Sequence, residues 1–152
     1  MSLDDRDKAI LRLLQADGRL TNAELAERVA LSASACLRRV RALEQEGYIA
    51  RYAAVLDDTA MGLPGVAFVM VTLDQQGRTA LDRFEAAVRL HHEILECYLL
   101  AGAADYLIRI AYADPADFER IHTAILTQLP GVSRLQSTLS LRKVKQTMAL
   151  PV

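Results

Sequence analysis

The chain has 152 residues, 52% of them hydrophobic, which is enough to bury a sizeable core as one domain or as two small ones. Its formal net charge of −1 and pI near 6.3 argue against indiscriminate binding of polyanions. Two isolated cysteines fit a reducing cytosol better than a disulfide framework, and no apolar run approaches the roughly 18 residues needed to span a bilayer.

The first predicted helix covers residues 3–14. Four apolar residues lie between positions 10 and 14, and three aspartates lie in the first turn, where negative charge favours a helix N-terminus. Asp17 and Gly18 end the helix. We expect this helix to supply the third side of a small three-helix core.

Residues 21–46 predict two short helices joined by a tight turn. Thr21 is suited to cap the first of them, and Glu24 three residues later completes a capping box. Ala30 occupies the turn position that glycine often takes, where a left-handed conformation costs a non-glycine residue roughly 1 kcal/mol. Helix-turn-helix motifs tolerate that cost.

The second helix of this pair has two faces of different chemistry, and Ser32 is suited to cap it. An apolar stripe at i, i+4, i+7 spacing would pack inward and consists of Cys36, Val40 and Leu43. The roughly opposite face carries Ser34, Arg38 and Arg41. Small polar residues followed by arginines are typical of a recognition helix in a major groove, so we interpret the pair as a helix-turn-helix. The alternative is a solvated helix hairpin with an arginine-bearing face.

Basic charge is concentrated around that helix. Residues 28–51 hold five arginines against two glutamates, whereas residues 1–27 hold four basic and six acidic side chains. A local basic patch on a near-neutral chain is the expected footprint of a specific reader of DNA. Gly47 ends the helix, residues 48–56 predict a strand, and the turn formers in residues 57–65 mark a linker.

The second half of the chain repeats a βαβ unit. The predicted elements are strand 66–73, helix 79–90, strand 94–101, strand 106–112, helix 115–128 and strand 132–141. Asp114 caps the second helix, and Pro115 occupies its first position. Two such units in tandem predict a ferredoxin-like βαββαβ sandwich, with both helices on one face of an antiparallel sheet.

The first strand of this sandwich is apolar on both faces. Val66, Phe68 and Met70 alternate with Ala67 and Val69. Because helices cover only one face of the sheet, the other face would leave a large apolar area bare. We therefore expect another subunit to cover it and the protein to be at least a dimer.

Over residues 3–150, the chain closely resembles the Lrp/AsnC family, the leucine- and asparagine-responsive "feast/famine" transcription regulators of bacteria. The resemblance is carried, in order, by LDDRDKAILRLLQADGR, LSASACLRRVRALEQEGYI, EILECYLLAGAADYLIRI, LPGV and VKQTMALP. It implies an α+β chain: an N-terminal winged helix-turn-helix DNA-binding domain in residues 1–50, a strand and linker in residues 51–65, and a sandwich for dimerisation and effector binding in residues 66–152.

The resemblance also implies contacts to double-stranded DNA from residues 32–46. Bases or phosphates would be approached by Ser32, Ala33 and Ser34, and cationic contacts would come from Arg38, Arg39 and Arg41. A two-fold dimer would then bind a pseudo-palindromic operator with half-sites about one helical turn apart, or a multiple of it. The alternative for each arginine is a solvated charge or a salt bridge to a nearby glutamate.

An effector site is implied at the end of the second sheet strand and along the last strand. Its residues would be Gly102, Ala103, Ala104 and Asp105 on one wall and Thr138, Leu139 and Ser140 on the other. Gly102 would permit unusual backbone angles that turn main-chain amides toward a ligand carboxylate, and Asp105 would bind the ligand ammonium.

That site departs from the family at one position. Family members often carry a first aspartate where this chain has Ala103, so one carboxylate is missing, and the identity and the binding of a ligand stay open. In the alternative interpretation, backbone amides satisfy Asp105 as a turn residue. Thr138 and Ser140 would then be ordinary strand residues.

Other chemistry has little support in the sequence. His91, His92, His122 and Cys97 are the obvious candidates for metal or acid–base chemistry, but the two adjacent histidines cannot share a helix face. We expect no cofactor, no metal, no membrane contact, no targeting segment and no enzymatic activity. The expected function is a cytoplasmic, nucleoid-associated transcription regulator that responds to an amino acid and assembles as dimers and octamers. Two alternatives are an enzyme of the same architecture, like the sirohaem decarboxylases, and an effector-independent protein of chromatin architecture.

Overall fold

The computed structural model describes residues 2–152 and divides into two compact units. The first unit, here called the head, ends at Val55 and takes in Val144–Val152; the second, the sandwich unit, is Leu56–Lys143. Together they confirm the predicted α+β class with an N-terminal helix-turn-helix. Within the described residues, no helix is long and apolar enough to cross a membrane.

The head contains three helices, and each begins at a side-chain cap. They are α1 (Asp5–Ala16), α2 (Asn22–Arg28) and α3 (Ala33–Gln45). Asp4 and Thr21 form capping boxes with Asp7 and Glu24, and the hydroxyl of Ser32 accepts a hydrogen bond from the third residue of α3. These caps satisfy amide groups that a helix leaves without partners in its first turn. The predicted caps at Thr21 and Ser32 are confirmed.

The core of the head is built from one stripe on each helix. Its fully buried members include Ile10, Leu25, Cys36 and Leu43, so the predicted inward stripe of α3 is confirmed. Ala30, in the turn between α2 and α3, has a φ of 52°. The turn therefore adopts the left-handed conformation that the sequence predicted for a helix-turn-helix without glycine.

The sandwich unit has four strands, two helices and one 3₁₀ turn. They are β1 (Gly65–Leu73), α4 (Arg78–Val88), β2 (Ile94–Leu99), β3 (Tyr106–Tyr112), α5 (Pro115–Ala124), the 3₁₀ turn Leu126–Gln128 and β4 (Val132–Leu139). The strand order is β2-β3-β1-β4, and every neighbouring pair is antiparallel. This arrangement is the predicted βαββαβ sandwich, with Asp114 and Pro115 at the start of α5 as expected.

The helices cover one face of the sheet and form the core of the sandwich unit with it. Alternate residues of β1 are buried there, from Ala67 to Leu73. The rings of Phe84 on α4 and Tyr106 on β3 pack at a tilt of 35°, with centroids 4.5 Å apart. At the start of β1 the ring of Tyr112 lies so close to Gly65 that an added Cβ would come within 2.3 Å of it. No local sequence pattern signals that close approach.

The predicted strand over residues 48–56 is wrong for the single chain, because no strand is formed between α3 and β1. A β-strand exists only through a ladder with a neighbouring strand, and the described residues form no such ladder with this segment. Val55 and Leu56 are 79% and 62% exposed. In the predicted linker, Asp57 instead begins a turn by accepting a hydrogen bond from the amide of Ala60.

The last residues of the chain lie outside the compact sandwich unit, which ends at Lys143. The division predicted from the sequence, with residues 66–152 as one domain, stays a prediction. Val144–Val152 group with the head instead. Three hydrogen bonds join this segment to side chains of α1.

Candidate functional sites

The outer face of α3 carries exposed polar and cationic groups on one stripe. Ser34, Arg38 and Arg41 are all exposed, as predicted from their spacing. Within residues 2–152, neither guanidinium has a hydrogen-bond or ion-pair partner. They line one shallow concavity, and its walls are Ser34, Leu37, Arg38, Arg41, Ala42 and Gln45. Unpaired guanidinium groups on an exposed helix can bind phosphates or the edges of guanine bases.

The N-terminal end of α3 is held in place by short contacts. Ser32 Oγ accepts from the amide of Ala35 at 3.2 Å and lies 3.3 Å from Ser34 Oγ. Asn22 Nδ2 donates to the carbonyl of Ala33 at 2.8 Å, which ties the start of α2 to the start of α3. Ser32 therefore caps the N-terminus of α3, and Ala33 and Ser34 are exposed. Their contact with DNA stays a prediction.

Arg39 differs from the other two arginines of α3. Its Nη1 lies 2.7 Å from Asp4 Oδ2 and 2.8 Å from Asp7 Oδ1, and the Asp7 side chain is only 4% exposed. The hydrogen bond to Asp7, and then the one to Asp4, raise the pKa of Arg39. The pKa of Asp4 is lowered by its hydrogen bond from the backbone amide of Asp7 and, to a smaller extent, by its hydrogen bond from Arg39. The ion pairs join α3 to the first turn of α1. The charge of Arg39 is therefore neutralised by ion pairs within the head, and a contact from Arg39 to DNA stays a prediction.

The loop between β2 and β3 is fastened to β1 by Asp105. Its Oδ2 accepts from the amide of Leu73 at 2.8 Å, and its Oδ1 accepts from Gln76 Nε2 at 2.9 Å. Both donors are neutral, and no cation pairs with this carboxylate in the described residues. The negative charge of Asp105 is therefore uncompensated, and each oxygen keeps a further lone pair for another donor.

The remaining residues of this loop differ in exposure, and their contact with an effector stays a prediction. Gly102 and Ala103 are exposed, whereas Ala104 is buried at 7% exposure. Gly102 has no positive φ, and a Cβ built there meets nothing within 4 Å. The expectation of an unusual backbone conformation at Gly102 is therefore wrong, because an L-residue fits this position without strain.

The second predicted wall of the effector site lies elsewhere on the same sheet. Thr138 of β4 pairs with Phe68 of β1, and Leu139 pairs with Ala67, whereas Asp105 binds at the other end of β1 through Val71 and Leu73. The amide of Ser140 donates to the carbonyl of Val66 at 2.8 Å. At about 3.3 Å per residue, three to seven residues of β1 separate the walls by roughly 10–23 Å. One chain therefore does not bring the two walls together.

The sheet face that the helices leave open has an apolar centre with one charged pair beside it. Phe68 of β1 lies on this face, and its side chain is 39% exposed. Across β3 and β2, the guanidinium of Arg109 lies 2.7 Å from Glu96 Oε1, and Tyr98 donates to the same carboxylate at 2.9 Å. The hydrogen bond from Arg109, and to a smaller extent the one from Tyr98, lower the pKa of Glu96. A pair that is already neutralised costs less to bury than an isolated charge.

The residues considered for enzymatic chemistry do not converge. His91 and His92 follow the end of α4, His122 lies on α5 beside Phe118, and Cys97 is half-buried in β2. Burial raises the pKa of the Cys97 thiol to about 11. In residues 2–152, no three His, Cys, Asp or Glu side chains are grouped as a metal site would require.

Among the residues of these sites that were not predicted from the sequence are Gln45, Asn22 and Gln76. Gln45 continues the 34, 38, 41 stripe at helical spacing, so extending the same pattern by one turn could have found it. Asn22 and Gln76 act through contacts with residues distant in sequence or in a loop, and no local pattern signals such contacts.

Comparisons with known proteins match both units. Residues 3–50 match the winged helix-turn-helix DNA-binding profile, and residues 66–150 match the Lrp/AsnC ligand binding domain. The leucine-responsive regulatory protein of Salmonella typhimurium is 37% identical over 150 residues, which cover 99% of this chain and 92% of that protein.

Two solved structures have the same fold over nearly their whole length. A transcriptional regulator from Neisseria meningitidis, solved as an L-Met complex, has a TM-score of 0.94 and 41% identity, covering 99% of this chain and 97% of its own. An AsnC family transcriptional regulator from Agrobacterium tumefaciens has a TM-score of 0.94 and 31% identity, with 98% and 97% covered.

The ion pairs of Arg39 generate a prediction about stability. Arg39→Ala should lower the free energy of unfolding by about 1–3 kcal/mol, because the buried carboxylate of Asp7 loses its charged donor. Arg38→Ala, one position away and exposed, should change it by less than about 0.5 kcal/mol. Urea denaturation of both variants measures the difference. Equal losses in the two would contradict a structural role for Arg39.

Proposed function

The chain belongs to the Lrp/AsnC family of transcription regulators, and from this premise we propose how its two units divide the work. It is a DNA-binding transcription regulator with an N-terminal helix-turn-helix. In our proposal, the outer face of α3 enters the major groove of an operator, the sandwich unit assembles copies of the chain, and an amino acid bound there controls the assembly. This activity would place the protein on the nucleoid in the cytoplasm.

The exposed arginines of α3 are the observation that supports DNA contact most directly. Arg38 and Arg41 lie on one stripe with Ser34 and without partners in the described chain, whereas Arg39 is held by two carboxylates. Two unpaired guanidinium groups on an exposed helix cost little to transfer to phosphates, because no internal ion pair has to be broken. We therefore assign cationic contacts to Arg38 and Arg41 first, with Ser34 nearest the bases.

Dimerisation is proposed through the open face of the sheet. The apolar centre around Phe68 would be covered by the same face of a second copy, in an isologous contact with two-fold symmetry. Such a dimer carries two heads, so its operator would be pseudo-palindromic, with half-sites separated by whole helical turns. Further association of dimers to octamers is part of the same proposal.

An amino acid is proposed as the effector, with Asp105 as the ligand of its ammonium group. The support is the uncompensated charge of Asp105 and the L-Met complex of the Neisseria meningitidis relative. Since Thr138 and Ser140 lie at the other end of β1, a pocket using both walls would need a second copy to supply one of them. A ligand bound between copies shifts the assembly only by its difference in affinity for the two states.

The proposed DNA interface is tested by removing its two cations. Arg38→Ala/Arg41→Ala should weaken binding to a duplex operator at least tenfold. It should also flatten the dependence of log affinity on log salt by roughly 0.9 for each phosphate that a head no longer neutralises. Fluorescence anisotropy at several salt concentrations measures both quantities.

The matched control for this variant is Arg78→Ala, which removes a 94% exposed arginine from the first turn of α4. It should leave affinity and salt slope unchanged. If the double variant binds as tightly as the unaltered chain and with the same slope, α3 does not supply the cationic contacts.

The proposed effector site is tested by a thermal-shift screen of the twenty amino acids, because any ligand of the folded state raises Tm. Asp105→Asn should abolish the shift that the best amino acid produces, since the charge that binds the ammonium is gone. Gln76→Ala removes one hydrogen bond of the same carboxylate but keeps its charge, so the shift should persist.

Two outcomes of this screen contradict the assignment. A full shift in Asp105→Asn would show that another group binds the ligand. Absence of a shift with all twenty amino acids, together with unchanged DNA affinity, would favour an effector-independent architectural protein.

A further inference from the structure

The last residues of the described chain are bound by hydrogen bonds to the outer face of α1. Gln15 forms a two-point contact with the backbone of Leu150: Nε2 donates to its carbonyl at 3.1 Å, and Oε1 accepts from its amide at 2.5 Å. One turn earlier on α1, Arg12 Nη1 donates to the carbonyl of Val152 at 2.8 Å. The side chains of α1 thus bind the segment in the way that a neighbouring β-strand would, through its backbone.

The connection of this segment to the sandwich unit lies beside a partly exposed ion pair. The chain passes between the two units twice, after Val55 and after Lys143. Just inside the sandwich unit, Lys143 Nζ lies 2.6 Å from Asp58 Oδ2. This ion pair joins the two connecting segments where they leave the sandwich unit, and because both side chains are partly exposed it contributes only modestly to stability.

We propose that Arg12 and Gln15 form a peptide-binding site on α1, whose occupant is residues 148–152 of the same chain. The bound segment, here called the tail latch, gives the head a second attachment. With the latch closed, the head is joined to the sandwich unit by two chain segments, and with the latch open by one.

The contacts of the tail latch make it reversible. All three hydrogen bonds are exposed to solvent, and the apolar side chains of the segment bury little area, since Met148 and Leu150 are 74% and 71% exposed. Exposed hydrogen bonds compete with water, so each adds only modestly to the stability of the closed state. Pro151 limits the backbone between the two bound carbonyl groups, which lowers the entropic cost of closing.

The functional consequence of the latch rests on the proposed function. Two heads of a dimer reach two half-sites, and a head with two attachments samples fewer orientations than a head with one. The closed latch should therefore make binding more selective for the spacing between half-sites. Opening the latch should leave the contacts of α3 unchanged.

Cross-linking tests the latch without DNA, so its failure is distinguishable from failure of the proposed function. Ala16→Cys/Ala149→Cys places thiols on exposed residues next to Gln15 and Leu150 without altering either. A short bis-maleimide at neutral pH should join them within one chain, identified by peptide mass. The natural thiols interfere little, because Cys36 is buried and burial raises the pKa of Cys97 to about 11.

Adding Gln15→Ala to the same two cysteines should reduce the rate of intrachain cross-linking about fivefold or more. Gln75→Ala, which removes an exposed glutamine from the loop before α4, should leave the rate unchanged. Equal rates in all three proteins would overturn the proposal. A cross-link between two chains would overturn it in favour of a tail supplied by a second copy.

Operator binding then tests the consequence. In the chain with natural cysteines, Gln15→Ala should keep its affinity for the optimal operator. When half a helical turn is inserted between the half-sites, the affinity of both proteins should fall. The fold-change in affinity should be about threefold smaller for Gln15→Ala than for the unaltered protein. The same fall in both proteins would contradict a role for the latch in spacing.

Discussion

The constraint on which the architecture depends is a four-stranded sheet with helices on one face only. The buried side of β1 packs under α4 and α5, but its other side is also apolar, with Phe68 at its centre. Water is a poor environment for such a face, so a second copy of the chain is the simplest cover. In the proposed dimer, the two sandwich units would be related by two-fold symmetry, and the dimer would carry two helix-turn-helix heads. The form of the proposed operator is thus a consequence of which face of a sheet lacks helices.

Within the head, two neighbouring arginines of α3 differ in their contacts. Arg39 faces α1, where Asp4 and Asp7 neutralise it, and Arg38 faces outward without a partner in the described chain. Since consecutive residues of a helix point about 100° apart, adjacent positions fall on different faces. The inward arginine fixes how α3 is presented, and the outward one is free to bind an anion. With both arginines outward, the outer face of α3 would carry more positive charge, but α3 would lose its ion pairs with Asp4 and Asp7.

How far the sequence predicts this molecule depends on how local each signal is. Caps at Thr21, Ser32 and Asp114, the left-handed turn at Ala30 and the order of strands and helices after residue 65 follow from short patterns, and all are found. The predicted strand over residues 48–56 is wrong because a β-strand requires a neighbouring strand, and the single chain does not provide one next to this segment. The pairing of Arg39 with Asp4 and Asp7 joins positions more than thirty residues apart, which helical periodicity cannot reveal. The same holds for the two carbonyl groups that α1 binds near the end of the chain, and for the separation of Asp105 from Thr138.

Sedimentation velocity at micromolar concentration is the measurement that tests the central claim, that the open sheet face joins two copies. The unaltered chain should sediment as a dimer or larger assembly, and Phe68→Asp should sediment as a folded monomer, because it places a charge at the centre of that face and leaves the helix-covered core intact. Leu90→Asp, at a residue that is 82% exposed after α4, should assemble normally. A monomeric unaltered chain, or a Phe68→Asp variant that assembles as well as the unaltered one, would contradict the account.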